Sequence, residues 1–191
     1  MRKIIVEDYN IEWSDEFQML KSVYLEHMKH LNIEVQHVGS TSVPGLAAKP
    51  ILDMDIIIDE KGKQEPIIEA LAELGYAHQG DLGIKGREAF KRKSDNVPYY
   101  KNQSYQFAHN LYVCVASSDA LRYHLLFRDY LRKNCQAASE YGTLKKKLAA
   151  KYEYDIDSYI EGKTGFITNI LSITGVSDSD ISEIIMQNKK D

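Results

Sequence analysis

The sequence predicts an α/β or α+β protein, with a mixed β-sheet covered by helices and a helical C-terminal portion. Three observations support this class. Short β-branched runs mix with amphipathic helical patterns up to about residue 116, only helical patterns follow Ser118, and the composition of 43% hydrophobic and 27% charged residues is that of a globular protein. The length of 191 residues fits one domain. We therefore expect a single domain over 1–191, with the sheet core in 1–116 and a helical extension in 117–191.

The first part of the chain predicts a helix, two strands and a second helix. Apolar residues at helical spacing follow Ser14, a suitable N-cap, and predict a helix to about residue 31. The alternating run 33–38 predicts a strand, and the apolar run 51–58 predicts a more buried one. A helix over 64–74 has Pro66 in its first turn.

The remaining elements follow from the same patterns. Strands are predicted at 76–78, 87–93 and 107–115, with a polar loop at 94–104. Ser118 is a suitable N-cap for a helix that continues to about 134. Further helices are predicted at 137–152, 155–161, 164–173 and 178–188.

Composition also restricts the class of function. No apolar run reaches about 18 residues and no signal-peptide pattern opens the chain, so we expect a cytoplasmic protein with no membrane partner. Cys114 and Cys135 are too few for a disulfide framework or a zinc cluster. We therefore expect any metal chemistry to rest on carboxylates.

Charge is unevenly distributed along the chain. The net charge of −4 divides into −8 for 1–84, +9 for 85–151 and −5 for 152–191. A basic middle segment in an acidic protein predicts local binding of phosphates and carries no strong nucleic-acid signature. The alternative is a set of solvated helix faces, above all for the lysines at 145–147.

The predicted strand at 51–58 (ILDMDIII) carries the most informative pair of residues. Side chains alternate along a strand, so Asp53 and Asp55 project from the same face. Two carboxylates on one apolar face repel each other and are costly to bury. A divalent cation removes both costs, so the pair predicts a Mg²⁺ site.

A turn about a dozen residues upstream, Gly39-Ser40, strengthens this interpretation. Phosphoryl and nucleotidyl transfer use carboxylates to hold metal at the phosphates, while small residues let backbone N–H groups and hydroxyls approach the phosphate oxygens. The alternative is that Asp53 and Asp55 cap backbone amides or pair with Arg87.

Residues 37–53 read HVGSTSVPGLAAKPILD, and this stretch resembles the signature of the GrpB-like family. The resemblance extends over residues ~4 to ~170, nearly the whole chain. Further matching residues are Tyr9, Trp13, Gly83-Ile84, Gly86-Arg87, 109–111, 127–132, Tyr141 and Leu144-Lys145.

The resemblance implies a nucleotidyltransferase fold of the polymerase-β type, in which a Gly-Ser turn and an Asp-x-Asp strand build a two-metal site. The resemblance implies no substrate. For an enzyme of this fold we expect Mg²⁺ on Asp53 and Asp55, a nucleoside triphosphate as substrate, and His109 as a third member of the site. The residues expected to hold the phosphates are Gly39, Ser40, Thr41, Ser42, Lys49, Arg87 and Arg128. We also expect Arg87 and Arg128 to focus the basic charge on this site.

The chain departs from the family pattern in ways that bear on catalysis. Tyr112 replaces the second histidine of a His-x-x-His strand, and Ala89 stands in a reduced aromatic pair. The third carboxylate that the fold normally supplies from a later strand is missing, and His109 stands on that strand. His109 is then a metal ligand, an activator of a hydroxyl or a core histidine, and Asp81 and Glu88 are the other acidic candidates.

Three classes of function follow. The first is a Mg²⁺-dependent nucleotidyltransferase or phosphoryl-transfer enzyme, whose acceptor is a small alcohol, a protein hydroxyl, an amine or a nucleic-acid end. The second is a non-catalytic nucleotide-binding or regulatory module that acts through a protein partner. The third is a structural interaction protein in which Asp53 pairs only with an arginine.

Overall fold

The computed structural model describes residues 3–59 and 64–189 and has a mixed α+β fold, which confirms the predicted class. Its helices are α1 Glu12–His27, α2 Glu65–Glu73, α3 Asp119–Lys133, α4 Cys135–Lys151, α5 Ile156–Ile173 and α6 Asp178–Gln187. Its strands are β1 Ile33–Val38, β2 Leu52–Ile58, β3 Tyr76–His78, β4 Arg87–Arg92, β5 Tyr99–Tyr100, β6 Gln103–Ser104 and β7 His109–Val115. Within the described ranges, no helix is long and apolar enough to span a bilayer.

The chain forms two compact units. The sheet unit consists of the described residues of Ile11–Ser42 and Ile51–His124. The helical unit consists of those of Met1–Asn10, Val43–Pro50 and Leu125–Asp191. Two segments predicted within the sheet core therefore group with the C-terminal helices, while the single domain over 1–191 stays a prediction.

The main sheet has the strand order β1-β2-β7-β4-β3. β2 and β7 pair in parallel, and the other neighbouring strands pair antiparallel. The two faces of this sheet differ in chemistry. We call the carboxylate face the one that carries Asp53 and Asp55. The opposite face is apolar and fully buried at Val35, Met54, Ile56, Leu111 and Val113.

In the sheet unit, the sequence-based boundaries differ most from the structure at α1 and in the loop 94–104, while those of α2, β4 and β7 differ by one or two residues. α1 begins at Glu12 rather than after Ser14 and ends at His27, with Ile11 as an N-cap that makes no side-chain hydrogen bond. The predicted polar loop 94–104 contains the short β5–β6 hairpin. This hairpin turns at Lys101 and Asn102, both with positive φ, as a type I′ hairpin turn requires.

The helical unit has its own core. Val43, Leu46, Leu131, Tyr141 and Ile170 form a buried cluster in which Tyr141 stacks on the partly buried ring of Phe166 at 4.9 Å between ring centroids. The helices predicted at 155–161 and 164–173 are one continuous helix, α5. Gly162 lies inside this helix, at a point where Leu148 of α4 packs close to the position that a Cβ would take.

Candidate active site

Asp53 and Asp55 lie on the same face of β2, near the centre of the main sheet. Across the parallel pair, Asp53 is opposite Asn110 and Asp55 is opposite Tyr112. Asp53 is half-buried, whereas Asp55 is 0% exposed. On the carboxylate face, Asp53 therefore lies nearer to solvent and Asp55 lies in the interior.

The end of β1 approaches Asp53 closely at Gly39. Gly39 has φ +66°, and a Cβ built there would stand 2.1 Å from Asp53 Oδ2. Only glycine accommodates both the left-handed backbone and the adjoining carboxylate. The Gly-Ser turn and the first aspartate of Asp-x-Asp are therefore in contact.

A short 3₁₀ turn, Ser40–Ser42, follows Gly39. Ser42 Oγ donates to the Gly39 carbonyl at 2.6 Å, which closes the turn on itself. Thr41 Oγ1 lies 3.0 Å from His37 Nε2, and both residues are buried. The Ser40 side chain is half-buried. Side chains of the turn thus hold its shape.

His124 of α3 is the hydrogen-bond partner of Asp55. Its Nδ1 lies 2.8 Å from Asp55 Oδ2, and an ionised carboxylate can only accept, so Nδ1–H donates. Burial disfavours the protonated ring, but the Asp55 charge and hydrogen bond outweigh it and raise the pKa of His124 above its ordinary value. Asp55 Oδ1 is buried with no hydrogen-bond partner among the described residues.

Arg87 and Tyr112 complete this part of the face. The Arg87 guanidinium lies 4.4 Å from the centroid of the Tyr112 ring, a cation–π arrangement. Burial, followed by the charge of Asp53, raises the pKa of Tyr112 to about 12. Tyr112 is therefore a neutral phenol at physiological pH, and Arg87 contributes the second positive charge of the cluster.

Asn110 occupies the position beside Asp53 on the neighbouring strand. Its Nδ2 donates to Asp53 Oδ1 at 2.8 Å. The two other acidic candidates are engaged elsewhere: Glu88 accepts from His78 at 2.7 Å on the opposite face, and Asp81 accepts from the Gly83 amide. Within residues 3–59 and 64–189, no three His, Cys, Asp or Glu side chains group so as to hold a metal ion.

The structure does not bring His109 together with the carboxylates. His109 belongs to the face opposite Asp53 and Asp55 and is 6% exposed. Its Nδ1 donates to the Phe107 carbonyl, and its Nε2 accepts from Tyr76, whose hydroxyl also meets that of Tyr24. Burial lowers the pKa of His109 to about 4, so the ring is neutral. This geometry favours the core-histidine alternative.

Lys49 and Arg128 belong to the helical unit. Lys49 Nζ lies 5.6 Å from the centroid of the Tyr159 ring. Arg128 is largely buried, and its Nε donates to Asp129 Oδ1 at 2.7 Å. Their expected role in phosphate binding stays a prediction.

Sequence reasoning missed Asn110 and His124. Asn110 was detectable, because strand alternation places it on the face opposite that of His109, and one of the two must face Asp53. His124 was harder to predict. Two carboxylates on an apolar strand require a basic partner, but the residues around 51–58 do not indicate which helix supplies it.

Comparison with known proteins places these features in a class. A MgGTP-bound structure of the Cid1 poly(U) polymerase superposes with a TM-score of 0.50 at 14% identity, covering 76% of this chain and 44% of that one. This similarity shows a fold of the nucleotidyltransferase type.

The family follows from closer matches. The profile of the family described as GrpB protein matches residues 3–172, so the chain belongs to the GrpB family. The crystal structure of the conserved protein GrpB from Enterococcus faecalis has a TM-score of 0.73 at 31% identity, covering 96% of this chain and 98% of that one. UPF0157 protein YqkA of Bacillus subtilis is 35% identical over 170 residues, covering 87% of this chain. The chain spans 46% of the length of YqkA.

Proposed function

We propose that this protein is a Mg²⁺-dependent nucleotidyltransferase or phosphoryl-transfer enzyme that uses a nucleoside triphosphate. The observation that carries this proposal is the contact between Gly39 of the Gly-Ser turn and the carboxylate of Asp53, which shares its strand face with Asp55. The nucleotidyltransferase-type fold and the MgGTP in the Cid1 structure support it.

The residues present fit a Mg²⁺ ion bound together with a nucleotide. Mg²⁺ is commonly held by one or two protein carboxylates plus phosphate oxygens, so Asp53 and Asp55 suffice as protein ligands. The buried Asp55 Oδ1 without a hydrogen-bond partner among the described residues is a costly group that a cation would relieve. When bound, Mg²⁺ supplies charge neutralisation at the reacting phosphate.

The chain's own groups have separate roles in this proposal. The turn 39–42, which Gly39 allows to lie against the Asp53 carboxylate, binds phosphate oxygens beside that carboxylate. His124 holds a proton against Asp55 and so balances the carboxylate pair. Arg87 adds positive charge beside Tyr112. Asn110 orients Asp53 through its amide.

Thermal shift and calorimetric titration with each ribonucleoside triphosphate, with and without Mg²⁺, test the proposal. We expect a Mg²⁺-dependent rise in melting temperature, because a ligand at 100 times its dissociation constant stabilises by about 2.7 kcal/mol. Asp53→Asn should abolish this response and leave the metal-free protein as stable or slightly more so, because it removes like-charge repulsion.

Glu34→Gln is the matched control, since Glu34 is an exposed carboxylate of the same sheet. It should retain the full response. A wild type that responds to no nucleotide with Mg²⁺, or an Asp53→Asn variant that responds as the wild type does, would contradict the proposal.

Asn110 favours a second candidate function, a nucleotide-binding or regulatory module without catalysis. The neighbouring-strand position beside Asp53 holds an amide where the family's fold normally supplies a carboxylate. Turnover of bound nucleotide, measured as release of pyrophosphate or of nucleoside diphosphate, distinguishes the two functions. Binding without either product, together with product release gained in Asn110→Asp, would support the module, whereas release of either product by the wild type would support the enzyme.

A further inference from the structure

A groove of about 560 Å³ lies where strands β4 and β7 part. The backbone pairing of these strands ends at Phe90 opposite Leu111. The next residues along the two strands, Lys91 and Asn110, are not paired with each other, and both line the groove. Residues 91–95 and 109–112 form most of its walls. The volume is that of a small-molecule site.

The groove is cationic. Lys91, Arg92 and Lys93 line it, against the single carboxylate of Asp95. Arg92 is engaged with Asp95, but no hydrogen bond or ion pair involves the Lys91 and Lys93 ammonium groups within the part of the chain that the structure describes. Two ammonium groups are therefore available to an anion.

The groove and the Gly-Ser turn flank the carboxylates from opposite sides. In the strand order, β1 and its turn lie on one side of β2, and β7 and β4 lie on the other. Asn110 lines the groove and also donates to Asp53, so one residue separates the groove from the first carboxylate. A molecule in the groove thus lies one residue away from Asp53, on the side opposite to the turn.

We propose that this groove binds the acceptor, and that the acceptor is a phosphorylated small molecule whose phosphate contacts Lys91 and Lys93. This inference rests on the proposed transfer function. A free oligonucleotide fits less well, because neither the tyrosine nor the phenylalanine that lines the groove offers an exposed ring for a base: Tyr112 has Arg87 over its ring, and Phe90 is buried beside His78.

The proposed reaction in this arrangement is the transfer of a nucleotidyl group from the triphosphate to a hydroxyl of the acceptor. An acceptor hydroxyl oxygen bonds to the α-phosphorus of the triphosphate, and the bond from that phosphorus to the bridging oxygen breaks. Pyrophosphate leaves with the bond's electron pair, and the hydroxyl proton passes to solvent water. Asp53 is the half-buried member of the pair, so it is the one the acceptor can reach.

Amide NMR titrations of the full chain test the proposal with ribose 5-phosphate, inorganic phosphate, uncharged ribose and a single-stranded hexanucleotide. Ribose 5-phosphate should shift the amides of 91–93 and 109–112, and ribose should not. Lys91→Ala/Lys93→Ala should weaken its binding about tenfold, the loss of charge-assisted bonds to phosphate, with the affinity for MgATP changed less than about twofold. Lys85→Ala, an exposed lysine outside the groove, should change neither.

The proposal is overturned if neither phosphate compound shifts the groove amides, if Lys85→Ala weakens binding as much as the double variant, or if the hexanucleotide binds more tightly than ribose 5-phosphate. Failure of the two proposals is distinguishable. If the wild type binds MgATP but not ribose 5-phosphate, only the acceptor assignment fails. If it does not bind MgATP, the transfer function fails and the acceptor assignment falls with it.

Discussion

Individual residues on the carboxylate face have neighbours that account for their unusual positions. Asp55 is fully buried, and a buried carboxylate costs several kcal/mol unless an opposite charge compensates it. His124 donates a 2.8 Å hydrogen bond to this carboxylate, which in turn raises the pKa of the His124 ring. Gly39 leaves room for the Asp53 carboxylate, which no other residue at that position would do. Both effects are testable by substitution.

Gly39→Ala should destabilise the protein more than Gly45→Ala. Both glycines have positive φ, but a Cβ at Gly39 would collide with Asp53, whereas a Cβ at Gly45 would meet nothing within 4 Å. We expect Gly45→Ala to cost about 1 kcal/mol and Gly39→Ala about 3 kcal/mol in free energy of unfolding, measured by urea denaturation. Equal costs would show that Gly39 is required only for its backbone conformation.

His109 and His124 should give opposite pH dependences of stability. The pKa of His109 is about 4 in the folded state, below its ordinary value of 6.5, so the unfolded state binds the proton more tightly. The stability of the wild type relative to His109→Gln should fall by about 2 kcal/mol between about pH 7 and about pH 5.

His124 has the reverse sign because its folded pKa is raised. Its contribution is fully present below the unfolded pKa and is lost as pH rises through the folded value. The stability of the wild type relative to His124→Gln should therefore fall as pH rises. Chemical denaturation at several pH values measures both differences, and slopes of the same sign for the two variants would contradict the assignments.

At the scale of elements, the parallel pair β2–β7 decides which side chains meet. Alternation within β7 separates His109 from Asn110, and the register with β2 brings Asn110 rather than His109 beside Asp53. The start of α3 then brings His124 to Asp55, helped by Ser118, whose Oγ accepts from the Leu121 amide as an N-cap. Strand register and helix position together build the site.

Helix α5 offers a matched pair of glycines for testing helix packing. A Cβ at Gly165 would meet nothing within 4 Å, whereas a Cβ at Gly162 would stand 2.6 Å from Leu148 Cδ2. Gly165→Ala should raise the free energy of unfolding by about 1 kcal/mol through helix propensity. Gly162→Ala should lose this gain because Leu148 must move. Thermal melts of both variants measure the effect. An equal gain in stability would mean that Leu148 can move away from residue 162 at little energetic cost.

At the scale of the whole molecule, the carboxylates, the Gly-Ser turn and the groove all belong to the sheet unit. The helical unit has a separate core around Tyr141 and Ile170. This division predicts which amides nucleotide binding should protect most strongly from hydrogen exchange.

Hydrogen–deuterium exchange should show that MgATP protects the amides of 39–42 and 52–58. Amides of Ile156–Ile173 should change little, because α5 lies in the helical unit. Binding lowers the population of open states in the segments that hold the ligand, and those segments carry Gly39, Asp53 and Asp55. Loss of this protection in Asp53→Asn is the control, and equal protection of α5 would contradict a site confined to the sheet unit.

Much of the fold was predictable because its signals are local. Alternation and apolar runs predicted β1, β2 and β7, and the N-cap at Ser118 predicted the start of α3. Predicted boundaries were wrong where a local signal did not decide the structure. The sequence predicted two helices separated near Gly162, but this glycine lies inside α5, in close contact with Leu148.

The sequence by itself determined that Asp53 and Asp55 share a strand face, since the two-residue period of a strand is a local property. It also determined the Gly-Ser turn upstream of them and the family resemblance. Only the tertiary structure decided that Asn110 and not His109 stands beside Asp53, and that His124 is the partner of Asp55. Strand register and helix placement depend on contacts between residues far apart in the chain, about 57 and 69 positions in these two cases, and such contacts leave no periodic trace in the sequence.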